Sequence, residues 1–400
     1  MIAGRRRELD RPAFRQRESV KKKKAGAYMD YSLLFAVIFL LLFGLIMVYS
    51  ASSYEASLKF SDSTYYLKSQ LRATAIGIVV MLLVARIDYH FWKKTAIIAY
   101  IGSCFLILLV ITPLGITRNG ARRWLNLGLS LQPAEVAKLG LIIFFATLIC
   151  LGGKTITGTI RGNFFSLLLA GIPTGLILVI TKNMSSAIIV FGIAFFMLFI
   201  SSPKYSYYLI AVGIAVGLGA LVVYVVSNGS LLEGIVPSSM LFRLDRVRAW
   251  LHPEAYASSK GYQTLQSLYS IGAGGIFGKG LGQSTQKLGF VPEAQNDMIF
   301  SIICEELGIF GAVAVILMFL ILLWRFMIVA NNAPDEFGSL LVVGVFAHIA
   351  IQVVLNIAVV TNTMPNTGIT LPFISFGGTS VLFLLMEIGI ALNVSRSIRV

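Results

Sequence analysis

The stretch Gly289–Gly308 reads G-F-V-P-E-A-Q-N-D-M-I-F-S-I-I-C-E-E-L-G and joins a polar, basic loop to a long apolar segment. Asp297 lies at the junction, four residues after Glu293. Two further acids, Glu305 and Glu306, lie inside the apolar run. Carboxylates are costly where a chain enters hydrocarbon, and those found there usually serve a function. Asp297 is therefore the first candidate for a catalytic residue, at the mouth of a membrane-spanning helix.

The composition places this stretch in a membrane protein. The chain has 400 residues, of which 57% are hydrophobic and only 13% are charged, and its mean hydropathy is +0.83. A soluble protein of this size needs far more charge to cover its surface. Apolar runs of about 18–25 residues recur along the chain, as expected of helices that cross a bilayer. The sequence predicts an all-α, polytopic membrane protein.

We predict ten membrane-spanning helices from these runs, with a large extracytoplasmic loop at about 227–296 between the seventh and the eighth. A connection of this length is typical of a functional segment. The predicted spans are about Tyr31–Ser50, Leu71–Ala85, Thr95–Ile111, Ala134–Leu151, Phe164–Thr181, Ser186–Ile200, Tyr207–Val226, the run from Met298, Phe337–Val360 and Ser380–Val394.

The first 24 positions hold ten Lys and Arg residues, so residues 1–30 are predicted to form a basic tail and 31–400 the membrane domain. Such a tail beside a span fixes the N-terminus in the cytoplasm and contacts anionic membrane lipid. Nucleic-acid binding is the alternative, and we prefer membrane lipid as the partner. With ten spans, both termini are expected in the cytoplasm.

This topology leaves two basic loops on the outer side, Thr117–Gln132 and Ser227–Asn296, although short outer loops normally avoid Lys and Arg. Either the count is wrong by one span or an anionic ligand is bound outside, where Arg side chains suit pyrophosphate oxygens. We favour the ligand. The basic residues concerned are Arg118, Arg122, Arg123, Arg243, Arg246, Arg248, Lys260, Lys279 and Lys287.

The intramembrane acids allow more than one interpretation. Glu305 lies about 12 Å along a helix from Asp297, too far for the two to act as a hydrolase pair. Asp297 could also simply cap a helix N-terminus. Glu305 and Glu306 are expected to be buried acids, either paired with Lys138 or hydrogen-bonded, rather than a proton relay.

Several other polar residues are predicted to have structural roles. Glu135 and Lys138, three residues apart, are expected to pair, and Glu387 is expected to be a satisfied interior acid. Gly278–Gly282 indicates a tight turn more than a phosphate-binding loop, because no strand precedes it. The three histidines are scattered and the three cysteines lie in apolar segments, so neither a zinc site nor a disulfide framework is predicted.

The motifs together resemble those of the SEDS family, the group of FtsW, RodA and SpoVE, from about Tyr31 to the C-terminus. The most specific match is Q-K-L at 286–288 followed by P-E-A-Q-N-D-M-I-F at 292–300, close to the family's Q-K-L and P-E-A-x-x-D-F-I-F. L-P-F-I-S at 371–375 resembles the FtsW and SpoVE branch. Further matches are G-A-R-R-W at 120–124, Q-P-A-E at 132–135 with Lys138, G-Y-Q at 261–263, G-L-G at 280–282 and P-F-I-S-F-G-G at 372–378.

The resemblance implies a peptidoglycan glycosyltransferase that polymerises lipid II at the outer face of the bacterial cytoplasmic membrane for septal wall synthesis. It implies that the essential aspartate is Asp297, and a class B penicillin-binding protein as partner, with division or sporulation proteins around it. Undecaprenyl-pyrophosphate-linked glycan is the second substrate, and Mg²⁺ or Mn²⁺ is a possible cofactor without assigned ligands. Substrate binding is assigned to Arg123, Lys138, Arg243, Arg246, Lys287, Glu293 and Ser375.

Two departures from the family pattern stand out. Where many members have Q-P-D-L-G-T, this chain has T-K-N-M-S-S at 181–186, so the usual acid is Asn183, which cannot be a base. Phe376 and Thr379 replace the Tyr and Ser of S-Y-G-G-S-S. Two rival functions remain at this point: a lipid II flippase that uses the intramembrane acids, and a non-catalytic scaffold for the penicillin-binding protein.

Overall fold

The computed structural model describes residues 29–118, 121–126, 128, 130–227 and 246–398. Within these ranges ten helices are long and apolar enough to cross a membrane, as predicted, and a shorter helix, α8, precedes the eighth of them. The helices are α1 Tyr31–Phe60, α2 Tyr65–Val84, α3 His90–Leu109, α4 Pro133–Thr157, α5 Ile160–Leu176 (continued by a π-helical turn, Ile177–Thr181), α6 Met184–Ser201, α7 Ser206–Ser227, α8 Tyr262–Gly274, α9 Ile299–Asn331, α10 Glu336–Val360 and α11 Gly378–Arg396.

The helices differ in how much of their surface other helices cover. Helices α4, α10 and α11 form the centre of the bundle, and most of their residues are buried by protein. Nearly every residue of α7 is exposed instead, and its exposed side chains are mainly aliphatic. A helix that is apolar all round and uncovered by protein is stable in hydrocarbon, which supports the membrane assignment.

Helix α9 is broken at Gly308, where the backbone has φ of +67°. The segment 275–280 crosses α9 at this break, and a Cβ on Gly308 would lie 2.4 Å from the backbone nitrogen of Gly278. The amides of Lys279 and Gly280 donate to the carbonyls of Glu305 and Glu306, each at 2.9 Å. The absence of a side chain at Gly278 and Gly308 therefore allows the two backbones to come close together in a tight turn, as predicted.

A small antiparallel sheet lies between α3 and α4, in the order β1 Gly115–Arg118, β2 Ala121–Asn126 and β3 Ser130–Leu131. The sequence predicts a polar loop at Thr117–Gln132, and the strands are a correction to that prediction. Asn119-Gly120, a dipeptide typical of hairpins, was the available signal. The strands are too short and too basic to show an apolar alternation.

The end of α9 remote from Asp297 is held to the start of α1. The Asp30 side chain accepts from the amide of Leu33 at 2.9 Å and so caps α1. It also pairs with Arg325 at 2.7 Å and is almost completely buried. Arg325 lies 28 residues after Asp297, so about 40 Å of helix separates the two. The N-terminal end of α1 and the Asp297 junction are therefore at opposite ends of the bundle.

Candidate active site

Asp297 lies two residues before α9 and is 8% exposed. The helix begins at Ile299 with Met298 in the cap position, so Asp297 is not its N-cap. Asn356 of α10 donates to the main-chain carbonyl of Asp297 at 2.8 Å. Gly368, in the loop between α10 and α11, packs on the carboxyl group, because a Cβ there would lie 3.7 Å from Asp297 Oδ2. Tertiary contacts therefore fix both the backbone and the side chain of this residue.

The carboxyl group of Asp297 receives a hydrogen bond from α8. Gln263 Nε2 lies 3.3 Å from Oδ1 and 3.4 Å from Oδ2. The other side of the Gln263 amide is also held, because Asn366 Nδ2 donates to Gln263 Oε1 at 2.9 Å. Gln263 was not among the predicted site residues, although it belongs to the G-Y-Q motif. Only the folded structure shows that this motif faces the acid.

Burial raises the pKa of Asp297 to about 7, and the nearby negative charge of Glu293 acts in the same direction. Glu293 has a left-handed backbone with φ of +54°, which is uncommon for a residue with a side chain. Its carboxylate accepts a hydrogen bond from the Asn296 side chain. A carboxyl group with a pKa near 7 can take up a proton at neutral pH, which is the property of a general base.

Two of the predicted basic residues, Arg123 and Arg246, interact electrostatically. Burial lowers the pKa of Arg123, and the positive charge of Arg246 lowers it further, so the two guanidinium groups are close enough to repel. Arg123 donates to the carbonyls of Thr181 at 3.3 Å and Lys182 at 3.4 Å. Like charges held together are typical of an anion-binding site. Arg243, the third arginine of the prediction, lies outside the described residues.

The turn that carries Thr181 also contacts the loop beside Asp297. The Ser185 hydroxyl donates to the carbonyl of Thr367, the neighbour of Gly368. Asn183, which replaces the usual acid of the family, caps α6 by accepting from the amide of Ser186 at 3.2 Å. These contacts link the strand that carries Arg123 to the loop beside Asp297 through residues 181–185.

Lys287, which was also predicted to bind pyrophosphate, has other partners. Its Nζ lies 2.8 Å from a carboxylate oxygen of Glu306 and 3.0 Å from the hydroxyl of Ser50, and all three side chains are buried. Ser50 also donates to Glu306 at 2.7 Å. The pairing neutralises Lys287 inside the protein, which assigns it a structural role and leaves it poorly placed to bind pyrophosphate.

Glu305 has a separate set of partners. It pairs with Lys279 at 2.6 Å, and its carboxylate accepts from Ser270, Ser284 and Thr285. Of the two alternatives predicted for Glu305 and Glu306, pairing with Lys138 is wrong, because Lys279 and Lys287 pair with them, and burial with hydrogen bonds is confirmed. Both acids hold the loop that leads into Asp297 against α9.

The remaining predicted residues lie deeper in the bundle or shape a loop. Lys138 is buried and pairs with Glu135 at 2.8 Å, which confirms that pairing. Glu387 pairs with His348 at 2.7 Å, as expected of an interior acid with a partner. The Ser375 hydroxyl accepts from the amide of Leu371 at 2.7 Å, so it shapes the loop before α11. Each of these side chains is engaged by protein groups.

In the described part of the chain, no three His, Cys, Asp or Glu side chains converge as cation ligands. Asp297 and Glu293 are the nearby carboxylates, and the Glu293 carboxylate is engaged by Asn296. Mg²⁺ is commonly held by one or two carboxylates together with substrate phosphates and water. The described residues assign no such set of ligands, and the proposed reaction is derived from side chains alone.

Residues 31–400 match the family of FtsW, RodA and SpoVE, described as cell cycle proteins. The chain belongs to this family. Stage V sporulation protein E of Bacillus subtilis (strain 168) is 39% identical over 369 residues, which cover 92% of this chain and 97% of that protein. Probable peptidoglycan glycosyltransferase FtsW of Trichlorobacter lovleyi is 38% identical over 384 residues, 96% of this chain and 97% of that protein.

Solved structures of the FtsW/RodA/SpoVE family share the fold. One is a chain of a peptidoglycan synthase complex that coordinates polymerization and crosslinking, with a TM-score of 0.73 and 27% identity over 92% of this chain and 98% of that one. The rod shape determining protein RodA of Thermus thermophilus has a TM-score of 0.65 and 26% identity, covering 92% of this chain and 97% of that one. The family fold therefore includes all ten predicted spans.

Proposed function

We infer that this chain, like its relatives named FtsW, is a peptidoglycan glycosyltransferase that polymerises lipid II into glycan strands. The observation that carries the catalytic assignment is Asp297 itself, a buried carboxyl group with a pKa of about 7 that is hydrogen-bonded by Gln263. A membrane enzyme acting on a lipid-linked pyrophosphate needs a base for the acceptor hydroxyl and cations for the leaving group. We assign the first role to Asp297 and the second to Arg123 and Arg246.

In the proposed reaction, Asp297 accepts the proton of the 4-hydroxyl of the acceptor sugar of lipid II. The oxygen attacks the anomeric carbon of the growing chain, and the bond from that carbon to the pyrophosphate oxygen breaks with inversion. Gln263 holds the carboxylate by its hydrogen bonds to both oxygens. General-base assistance is worth about 10²- to 10⁴-fold in rate.

The departing undecaprenyl pyrophosphate carries the bonding electrons away as negative charge. Arg123 and Arg246 stabilise that charge in the proposed mechanism, together with Arg243. Burial strengthens the interaction, because partly desolvated guanidinium groups are less screened than exposed ones. Lys138, Glu293 and Ser375 contribute indirectly, through their contacts with protein groups around the site.

The protein is multi-pass, and we propose that it lies in the bacterial cytoplasmic membrane with both termini in the cytoplasm. The basic tail supports this orientation by the positive-inside rule. The end of α1 that follows the tail lies beside Arg325, at the opposite end of the bundle from Asp297. In this orientation Asp297 is at the outer face of the membrane.

We propose a class B penicillin-binding protein as the partner, in septal or sporulation wall synthesis. The structural relative in a synthase complex, and the relatives named FtsW and SpoVE, support this proposal. A polymerase that releases glycan outside the membrane requires a transpeptidase to crosslink it there. Co-purification with the cognate transpeptidase tests the pairing.

The lipid II flippase would use the intramembrane acids, and the pairing of these acids with other side chains argues against that function. Glu135, Glu305, Glu306 and Glu387 each have a cationic or histidine partner in the described residues. Reconstitution with purified lipid II separates the functions: glycan strands support the enzyme, leaflet exchange without polymer supports the flippase, and neither product supports the scaffold.

The rate of polymerisation is expected to rise with pH around 7. Since burial raises the pKa of Asp297 to about 7, the basic form is scarce below that pH and predominates above it. The pH dependence of kcat/KM reports the ionisation of the free enzyme. We expect an acid limb with a midpoint near 7, and a midpoint near the ordinary aspartate value of about 4 would contradict the assignment.

Gln263→Leu is expected to move that acid limb to higher pH. The side chain of Gln263 donates to the Asp297 carboxylate and thereby lowers its pKa. Leucine has a similar volume but no donor, so the carboxylate loses this stabilisation. The pH profile of kcat/KM measures the shift, and Gln263→Asn is the control that keeps an amide on a shorter side chain. An unshifted profile in Gln263→Leu would show that the hydrogen bond does not tune the base.

A further inference from the structure

Helix α10 carries a stripe of buried polar side chains that leads from the middle of the bundle to Asp297. His348, Gln352 and Asn356 are spaced four residues apart and so lie on one face of the helix. All three are buried, and they span about 12 Å along the axis. Polar groups in this setting are costly unless they are hydrogen-bonded, and their bonds are therefore informative.

The outer part of the stripe holds the backbone around the catalytic carboxylate. Asn356 Nδ2 donates to the carbonyl of Asp297 at 2.8 Å and to that of Ile369 at 2.6 Å, bridging the two segments. Gln352 Nε2 donates to the carbonyl of Thr370 at 3.0 Å. The two amides therefore fix residues 369–370, which directly follow Gly368, the residue packed on the Asp297 carboxyl group.

The direction of each hydrogen bond along the stripe is determined. The Thr370 carbonyl can only accept, so the Gln352 amide nitrogen must face it. Gln352 Oε1 then faces two donors, Lys138 Nζ at 3.4 Å and His348 Nε2 at 2.9 Å. His348 Nε2 must therefore carry a hydrogen.

The hydrogen bond between His348 and Glu387 can be assigned in the same way. His348 Nδ1 lies 2.7 Å from Glu387 Oε2, and both residues are fully buried. A contact this short requires a proton between the two atoms. That proton is held either as imidazolium with carboxylate or as imidazole with carboxylic acid, and the pair is electrically neutral in both cases.

A second buried ion pair is linked to this one through Gln352. Lys138, which also faces Gln352, is neutralised by Glu135 of its own helix at 2.8 Å. Glu387 Oε1 has no hydrogen-bond partner among the described residues. Nothing in the proposed reaction uses His348 or Glu387, although burying this pair between α10 and α11 is costly.

We propose that His348 and Glu387 are positioning residues for glycosyl transfer. The proton they share anchors the imidazole, the imidazole orients the Gln352 amide, and that amide holds the Thr370 carbonyl in the loop that packs on Asp297. This proposal rests on the proposed function, in which Asp297 is the base. It assigns no contact with substrate to either residue.

Matched variants of Glu387 test the shared proton. Glu387→Gln still presents an N–H to His348 Nδ1, whereas Glu387→Leu presents none and leaves the imidazole unanchored. His348→Phe removes the donor to Gln352 while keeping a ring. We expect Glu387→Leu and His348→Phe to lower kcat by roughly ten- to a hundredfold with little change in KM, because small misplacements of a catalytic group are costly. Glu387→Gln is expected to restore kcat to within about threefold of the wild type.

Two measurements accompany the kinetics on the purified full-length protein. Deuterium uptake in peptides covering residues 366–371 is expected to rise in Glu387→Leu and His348→Phe, but not in Glu387→Gln. The acid limb of the pH profile is expected to move to lower pH where uptake rises, since a displaced loop leaves Asp297 less buried.

The proposal is overturned if His348→Phe only lowers the melting temperature, with wild-type kcat, pH profile and exchange. It is also overturned if Glu387→Gln is as impaired as Glu387→Leu, because the negative charge rather than the proton would then matter. Failure of the proposed function shows itself separately: the wild type would make no glycan, while the exchange measurements would still report on the loop.

Discussion

Asp297→Asn is expected to lower the rate of glycan synthesis by about 10²- to 10⁴-fold, which abolishes detectable polymer. The variant is expected to stay folded and to bind lipid II. The substituted side chain has nearly the same shape and can still accept from Gln263, but it cannot take up a proton. In the proposed mechanism the lipid-linked pyrophosphate is bound by Arg123 and Arg246, which are unchanged. Polymer length on gels measures the rate, and retention of labelled lipid II measures binding.

The same variant has a stability signature that serves as its control. The folded pKa of Asp297, about 7, lies above the ordinary value of 3.8, so its carboxylate destabilises the fold increasingly as pH rises between these values. Asparagine removes this effect. We expect Asp297→Asn to be more stable than the wild type above pH 7, by roughly 4 kcal/mol, and similar to it near pH 4. An inactive variant with this signature is not inactive through misfolding.

Lys287→Met is expected to destabilise the fold by roughly 3–5 kcal/mol, the usual effect of leaving one member of a buried ion pair alone. Glu306 is fully buried, and after the substitution the Ser50 hydroxyl is the one partner of its carboxylate that remains among the described residues. The Lys287–Glu306 ion pair also holds the loop before Asp297 against α1 and α9. We expect this loop to become more mobile in the variant. Thermal unfolding in detergent measures the effect.

Two further variants identify the cause of that loss. Lys287→Met combined with Glu306→Gln leaves no buried charge and is expected to recover much of the stability. Lys279→Met is the matched control, because Glu305 keeps its hydrogen bonds from Ser270, Ser284 and Thr285. If Lys287→Met melted with the wild type, Lys287 would not be a structural residue and its proposed role at pyrophosphate would regain support.

The ten spans could be predicted from sequence because bilayer thickness sets their length and hydrocarbon sets their composition. The ends of the helices could not. Helix α1 continues to Phe60, well past its predicted end at Ser50, because helical structure does not stop where hydrophobicity does. The short sheet between α3 and α4 was missed because its order depends on pairing, not on composition.

The central acid of the site was predictable, whereas its surroundings were not. Asp297 stood out because a carboxylate at the edge of an apolar run is rare. Gln263, Asn356 and Gly368 meet it only through tertiary packing of segments far apart in the chain. Lys287 was predicted at pyrophosphate because loop lysines outside a membrane indicate an anion, and its buried partner was invisible in the sequence.

The most direct test of Asp297 as the proton acceptor is the pH dependence of single-turnover polymerisation by wild type and Asp297→Asn, in liposomes with purified lipid II. We predict a wild-type rate that rises through an inflection near 7, and a much lower rate in the variant that lacks this inflection. A variant that polymerises near the wild-type rate, or keeps the same inflection, would contradict the account.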